Sequence, residues 1–151
     1  GGWLQFHMAT NTHTPAMMLW DGTTYVNLDN DNSNWQGPDG AGHPALVGLV
    51  EPYEGNATNH GYLSGYPVGA AVIVETSVGN PTYVEYTHGG GNVVVTTMTM
   101  EYLWNNIGLY PDGQILWNTI DYMAGAGPQP PVRLDLTPTV DGVADAGGTI
   151  V

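Results

Sequence analysis

The chain has 151 residues, which is enough for one domain with a buried core. It carries 14 acidic residues against a single base, Arg133, and its formal net charge is −13. This balance excludes nucleic acid and anionic membranes as partners, because both are bound through clustered Lys and Arg side chains.

Hydrophobic residues make up 42% of the chain, with nine Tyr and five Trp, so the composition is that of a packed protein. Charged residues are only 10% of the chain, so its surface must consist mainly of Asn, Thr, Ser, Gly and Tyr. Such a surface is common in secreted proteins and predicts an extracellular or cell-surface location. The absence of cysteine excludes disulfides and thiolate catalysis. No apolar run approaches the ~18 residues of a membrane-spanning helix.

The sequence predicts a series of short strands. Residues 3–8 alternate apolar and polar side chains with a period of two, and residues 23–28 form a second candidate strand. Residues 70–76 and 81–86 flank a Gly-Asn-Pro turn signal, which predicts a hairpin. Residues 92–98 follow three consecutive glycines and are apolar on both faces, as in a buried central strand.

One strong helix is predicted at residues 114–124, after a shorter helical turn at residues 100–104. Asp112 is placed to cap its first turn, and Gly125 is placed to follow its last turn. The apolar side chains recur at helical spacing and form one stripe, which consists of Leu116, Ile120 and Met123.

The composition changes near the end of this helix, where a Pro-rich segment begins that cannot continue it. We therefore divide the chain into a strand-rich domain at residues 1–126, a linker at residues 127–131 and a tail at residues 132–151. The tail is either extended or the start of a further β module.

Within the tail, apolar residues alternate with polar ones as in a strand, at Val132, Leu134 and Leu136. We expect this strand to dock on a neighbouring copy, which would give a homo-oligomer or a polymer by strand addition. A frayed terminus is the alternative interpretation.

Several segments between residues 43 and 123 stand in a familiar order. They read HPALVGL from His43, PTYVEYTHGGGNVVV from Pro81 and NTIDYM from Asn118. This layout resembles the C-terminal half of class I glutamine amidotransferase-like domains, in particular those of the trehalose-utilisation type. The resemblance implies an α/β, strand-rich fold that is flavodoxin-like or a partial three-layer sandwich, with one or two helices and an extended C-terminal strand tail. It also implies that the N-terminal half of the family's fold is missing from this chain.

The resemblance does not imply that this chain is catalytic. The family's amidotransferases use a nucleophilic Cys, a His and an acid, and this chain has no Cys. The place of the His and the acid is taken by Thr99-Met100-Glu101, so Glu101 alone remains. We therefore expect no catalytic residues. A residual hydrolase that uses Glu101 with Asp112 or His60 is a minor alternative.

The most polar stretch is LDNDNSNWQGPDG, at residues 28–40. Calcium (Ca²⁺) binds about six to eight oxygens, and loops with Asp or Asn at every second position supply them along one side. The stretch predicts a calcium loop, although it lacks the Gly and Glu of a complete EF-hand. An Asn-rich surface turn is the alternative. The predicted ligands are Asp29, Asp31, Ser33 and Asp39.

Two further residues are candidates for binding. Trp35 lies inside the polar stretch and is the aromatic side chain best placed to stack on a sugar ring. His60 is predicted to support the loop of Asp29 by hydrogen bonding from the Asn59-His60 segment. Of the other four tryptophans, Trp3, Trp104 and Trp117 fit core positions on strands or helices.

These patterns predict a non-catalytic, extracellular structural domain that self-assembles as a surface or filament subunit and is supported by calcium. The alternative function is a carbohydrate-binding module attached to a larger secreted protein.

Overall fold

The computed structural model describes residues 24–125, together with the backbone of residues 2–5, 14–15, 139–140 and 143–144. Two α-helices are present in this part of the chain, α1 at Met100–Asn105 and α2 at Gln114–Met123, and two 3-10 helices lie at Pro44–Leu46 and Pro111–Gly113. The strands are β1 at Gly2–Gln5, β2 at Thr14–Pro15, β3 at Tyr25–Asn27, β4 at Asp31–Gln36, β5 at Tyr53–Asn59, β6 at Tyr62–Ser64, β7 at Ala71–Thr76, β8 at Pro81–His88, β9 at Gly91–Thr96, β10 at Thr139–Val140 and β11 at Val143–Ala144.

Six strands form the main sheet, in the order β1-β9-β8-β7-β4-β5. Its neighbouring strands run antiparallel, except that β1 and β9 are parallel. A smaller antiparallel sheet contains β2, β3 and β6. The strands β10 and β11 pair with each other.

The main sheet buries apolar side chains on both faces. Val94 of β9 lies in a cluster with Met100 of α1 and Ile115 of α2, so one face packs against the helices. Its neighbours Val93 and Val95 point the other way and lie in a second cluster that includes residues of β3 and β6. This two-sided burial confirms that the segment at residues 92–98 contains a buried central strand.

The predicted fold class is wrong. A flavodoxin-like α/β sandwich joins parallel strands through helical crossovers of a dozen residues or more. Here β7, β8 and β9 are joined by short turns and pair antiparallel, and α2 is the one described helix of seven or more residues. The fold is strand-rich, with sheets that are almost wholly antiparallel and helices on one face of the main sheet. The hairpin predicted around residues 78–81 is confirmed as β7–β8.

The helix predicted at residues 114–124 is confirmed, but its predicted cap is wrong and its predicted apolar stripe is confirmed only in part. Asp112 does not cap it, because its Oδ2 instead accepts a hydrogen bond from the backbone N–H of Glu54, at 2.8 Å. The fully buried residues of the helix are Ile115, Asn118 and Thr119. Of the predicted apolar stripe, Leu116 and Met123 are partly buried and pack against the core, whereas Ile120 is 37% exposed. Gly125 follows the helix with φ at 76°, as expected of a glycine past the last turn.

The tryptophans of the two helices are also not core residues. Trp117 is 42% exposed, and Trp104 is half-buried. Their rings meet edge to face with centroids 5.6 Å apart, so the two side chains cover each other at the surface. Trp3 lies in β1, for which the backbone alone is described.

The polar stretch at residues 28–40 is not a loop throughout, because its centre forms β4, between β5 and β7 in the main sheet. The linker at residues 127–131 and the tail residues Val132, Leu134 and Leu136 lie outside the described residues. None of the described helices is long and apolar enough to cross a membrane.

Candidate functional site

The strand β4 carries side chains of opposite character on its two faces. Asn34 is fully buried, whereas Ser33 and Trp35 on either side of it are partly exposed. Successive side chains of a strand point to opposite faces, so Ser33 and Trp35 share one face, called here the groove face. On that face Ser33 lies opposite Glu54 of β5, and Trp35 lies opposite Glu75 of β7.

The buried face of β4 is held by a network of amide and hydroxyl groups. The Nδ2 of Asn34 donates to Oδ1 of Asn59 at 2.9 Å, and the Oδ1 of Asn34 accepts from the hydroxyl of Thr82 at 2.7 Å. Asn59 and Thr82 are themselves fully buried. A buried amide is costly unless it is hydrogen-bonded, so this network fixes the register of β4 and with it the positions of Ser33 and Trp35.

A groove with a cavity of about 520 Å³ opens beside Trp35. One aromatic ring, two carboxylates, one amide and two hydroxyls surround it, and the backbone N–H of Gln36 donates to the carboxylate of Glu51. This combination offers a flat apolar surface next to several hydrogen-bond acceptors. The lining residues of this Trp35 groove are Trp35, Gln36, Glu51, Glu75, Thr76 and Ser77.

A second groove, of about 480 Å³, lies further along β4. It is bounded by Asn32 and Ser33, by residues 54–56 of β5, and by residues 109–112, and is called here the Asp112 groove. Burial raises the pKa of Asp112 above its ordinary value of 3.8. The hydrogen bond from the N–H of Glu54 opposes this shift, and the negative charge of Glu54 adds to it.

The backbone of β5 is in an unusual conformation beside the Asp112 groove. Ala57 has a φ of 55°, in the left-handed region that residues with a Cβ rarely adopt. Its N–H donates to the side-chain Oδ1 of Asn32 at 2.7 Å, and this bond joins the strained residue to the strand that carries both grooves.

A cluster of polar side chains joins β8 to two helical elements, the 3-10 helix Pro44–Leu46 and α2. The Oε2 of Glu85 lies 2.7 Å from the Nε2 of His43, and its Oε1 accepts from the hydroxyl of Tyr122 at 2.6 Å. The N–H of Ala45 donates to the Nδ1 of His43 at 3.2 Å, so Nδ1 carries no proton and Nε2 donates to Glu85. Glu85, lying between two donors, therefore ties the 3-10 helix Pro44–Leu46 and α2 to the sheet.

The group is nearly enclosed, since the side chains of His43 and Glu85 are 10% and 12% exposed. Burial, together with the hydrogen bond to Glu85 and its negative charge, raises the pKa of Tyr122 to about 12. Both nitrogens of His43 and both carboxylate oxygens of Glu85 already have partners. This arrangement fits a structural tie between elements. Sequence reasoning missed it, although His43, Glu85 and Tyr122 all lie in the segments that carry the amidotransferase resemblance.

The three predicted carboxylate ligands of calcium each accept hydrogen bonds from different partners. The Oδ2 of Asp29 accepts from Asn80, the Oδ1 of Asp31 accepts from the N–H groups of Asn32 and Ser33, and the Oδ2 of Asp39 accepts from the N–H of Val72. Within the described residues, no three His, Asp or Glu side chains come together as a group that could hold a metal ion. The calcium site with Asp29, Asp31, Ser33 and Asp39 stays a prediction. A melting experiment with and without a chelator tests it, and an unchanged midpoint would remove it.

The two predicted binding residues have different surroundings. Trp35 forms part of the wall of the Trp35 groove. His60 is half-buried, and its backbone N–H donates to the carbonyl of Thr97 at 3.1 Å. The predicted support of the Asp29 loop is provided by Asn59, whose Nδ2 donates to the carbonyl of Asp29 at 3.4 Å. Glu101 lies half-buried in the first turn of α1.

Comparison with known proteins adds little to this geometry. No protein family matches the sequence, and no curated protein sequence matches it. Among solved structures, a cytoplasmic protein from Salmonella typhimurium is similar at 15% identity with a TM-score of 0.44, over 85% of this chain. The chain spans 56% of the length of that protein.

Two expectations from the sequence are affected differently by these comparisons. The neighbour is described as a cytoplasmic protein, and the extracellular or cell-surface location predicted from composition is not retained. The resemblance to amidotransferase-like domains is not tested by the comparisons and stays a prediction, whereas the flavodoxin-like fold that it implied is wrong.

Proposed function

We propose that this protein is a non-catalytic carbohydrate-binding domain and that it binds neutral sugars in the Trp35 groove. The observation that carries the proposal is the position of Trp35 opposite Glu75 on the groove face of β4. An indole ring can stack on the C–H face of a sugar ring, and carboxylate and amide oxygens can accept hydrogen bonds from its hydroxyls. A concave site with a few placed polar groups is the usual form of a small-ligand site.

The charge of the chain narrows the class of sugar. Glu51 and Glu75 both line the groove, and the net charge of the whole chain is −13. Sulfated, phosphorylated and uronic-acid sugars would be repelled by this field, because a site for them needs Lys or Arg. Neutral hexose units carry hydroxyl donors without charge and therefore suit these acceptors.

The experiment is a glycan array followed by isothermal titration calorimetry with the neutral sugars that bind. Trp35→Ala should weaken binding by at least ~10-fold, which corresponds to about 1.4 kcal/mol. Trp117→Ala is the matched control, because Trp117 is also partly exposed but lies on α2. Binding that survives Trp35→Ala would overturn the proposal. So would a preference for a quaternary ammonium compound, since such a cation would also suit an indole beside two carboxylates.

Self-assembly is a second candidate function, and a different surface favours it. The side chains around α1 and α2 leave apolar area uncovered, and clustered apolar exposure is typical of interaction surfaces. Sedimentation velocity over a range of concentrations tests this candidate, with Trp117→Ser and a truncation after Gly125 as variants. Assembly that both variants retain would count against it. The exposed fractions are 37% for Ile107, 42% for Trp117 and 37% for Ile120.

A further inference from the structure

We infer that the ligand is an oligosaccharide chain that lies along β4 and occupies the Trp35 groove and the Asp112 groove together. This inference rests on the proposed function, because it extends the sugar site at Trp35 by a second subsite. It concerns the length of the ligand and the residues that bind its far end.

The first reason is the spacing of the two grooves on one strand. Ser33 borders the Asp112 groove and Trp35 borders the other, and the two residues are separated by Asn34 alone. Two residues of a strand span about 6.6 Å, and both side chains stand on the groove face. A single extended ligand of a few sugar units is therefore long enough to reach from one groove residue to the other.

The second reason is that a carboxylate residue lies directly across from the β4 residue that borders each groove. Ser33 is paired with Glu54 on one side of β4, and Trp35 is paired with Glu75 on the other. A ligand that lies along β4 would thus have a carboxylate on one side at Ser33 and on the other side at Trp35. The two cavities, of about 480 and 520 Å³, are each large enough for a small ligand group.

The third reason is that the chemistry of the Asp112 groove suits the same class of ligand. Asn32 and Asn56 bring amide groups, Ser33 a hydroxyl, and Tyr110 an aromatic ring with a hydroxyl. Leu109 is 74% exposed and adds an apolar edge. No lysine or arginine lines either groove, so both favour hydroxyl-rich uncharged groups over anionic ones.

The rigidity of the strand makes joint occupation favourable. Asn34 lies between the two groove residues in sequence and is held from below by Asn59 and Thr82. The distance between the subsites is therefore fixed before the ligand arrives. A ligand that matches this distance gains from both subsites while it loses its translational freedom once.

The experiment is a calorimetric titration with cello-, malto- and manno-oligosaccharides, each from the monomer to the hexamer. In the series that binds, we expect affinity to rise by at least ~10-fold between the monomer and a short oligomer and then to level off. Tyr110→Ala and Asn56→Ala should remove most of this gain while leaving the affinity for the monomer unchanged. Asn56 is exposed, so its variant keeps the fold. Trp35→Ala should weaken binding of the monomer and of every oligomer.

The outcomes separate the two proposals. Affinity that is independent of chain length, or a gain with length that survives both Tyr110→Ala and Asn56→Ala, would overturn the second subsite and leave the Trp35 site intact. Binding of none of the three series, with no neutral glycan bound on the array, would overturn the proposed function itself. Val68→Ser serves as the control for surface substitution, because Val68 is fully exposed and lines neither groove.

Discussion

The hydroxyl of Thr82 donates to the amide oxygen of Asn34 at 2.7 Å, across 48 residues of sequence and inside the protein. Asn34 also donates to Asn59, so one buried amide joins three strands of the main sheet. The polar stretch that first suggested a metal loop is thus anchored in the core by its own asparagine.

Replacing Asn34 should therefore lower the free energy of unfolding much more than replacing an exposed residue of the same stretch. Asn34→Ala removes two hydrogen bonds and leaves the Oδ1 of Asn59 and the hydroxyl of Thr82 buried without this partner. We expect the free energy of unfolding to fall by about 2 to 4 kcal/mol, measured by urea denaturation. Asn30→Ala is the control, since Asn30 is exposed in the same stretch and its loss should stay within about 0.5 kcal/mol. Equal effects of the two variants would show that the buried network adds no stability.

The hydrogen bond from Tyr122 to Glu85 gives a second prediction. Tyr122→Phe should lower the free energy of unfolding by about 1 to 2 kcal/mol, because Glu85 loses one of its two donors. Tyr102→Phe, which changes a tyrosine that is 38% exposed, should have little effect.

The pH dependence of this bond follows from the raised pKa of Tyr122. In the folded protein the pKa is about 12, above the ordinary value of 10.0, so the hydroxyl's contribution is complete below pH 10.0 and is lost as the pH rises through about 12. Burial also raises the pKa of Tyr53 to about 12, so late ionisation persists in Tyr122→Phe but should involve one tyrosine fewer in an ultraviolet titration. An amplitude of late ionisation equal to that of the wild type would contradict the assignment.

Asp112 gives a second prediction in which stability falls as the pH rises, in this case at lower pH. Its pKa is raised above 3.8 on folding, so its contribution to stability is complete below pH 3.8 and is lost as the pH rises through the raised value. Asp112→Asn stays neutral and keeps an oxygen that can accept from the N–H of Glu54. The stability of the wild type relative to Asp112→Asn should therefore fall between pH ~3 and pH ~7, measured by urea denaturation.

Glu54→Gln provides a second arm of this experiment, because the charge of Glu54 adds to the shift. In the Glu54→Gln background, the difference in stability caused by Asp112→Asn should depend less on pH. A difference that stays constant with pH in both backgrounds would contradict the raised pKa.

The close packing at Gly113 predicts that adding one methyl group at this position strongly lowers the stability of the protein. A Cβ at this position would lie 2.5 Å from the backbone carbon and oxygen of Leu103 and 2.6 Å from the backbone nitrogen of Trp104. Backbone atoms of α1 cannot move aside as a side chain can, so Gly113→Ala should cost about 2 kcal/mol or more in thermal or urea denaturation. Gly108→Ala is the control in the same connection, where a Cβ would meet nothing within 4 Å. If both variants are equally stable, α1 and the 3-10 helix Pro111–Gly113 are not packed as described.

The parts of the fold that the sequence predicted well are those whose signals are local. The β7–β8 hairpin has its turn residues between two apolar runs, and α2 has apolar spacing followed by Gly125. The overall class was wrong because it was taken from the resemblance to amidotransferase-like domains, and apolar residues on both faces of β9 do not distinguish a parallel from an antiparallel central strand. Here the same burial arises from helices on one face and a small antiparallel sheet on the other.

The candidate site was predictable only in part. Trp35 stood out as an aromatic residue in a polar stretch, but Glu75 enters its groove through a strand pairing that spans 40 positions of the chain. No neighbouring residue in the sequence indicates that Asn34 is buried. Its burial is possible because its side chain is hydrogen-bonded to Asn59 and Thr82, which are distant in the sequence. The same holds for His43 and Glu85, which are 42 residues apart.

The strand order also bears on how the chain reaches its fold. The strands β7, β8 and β9 follow one another through short turns, so their pairing closes only small loops. β4 must join β7 across the whole of residues 37–70, and Gly2 of β1 pairs with Asn92 of β9. The entropy of loop closure has to be overcome before such distant pairs form. We expect the segment from residue 71 to residue 96 to be the folding nucleus, and the strand that carries both grooves to be a late addition to it.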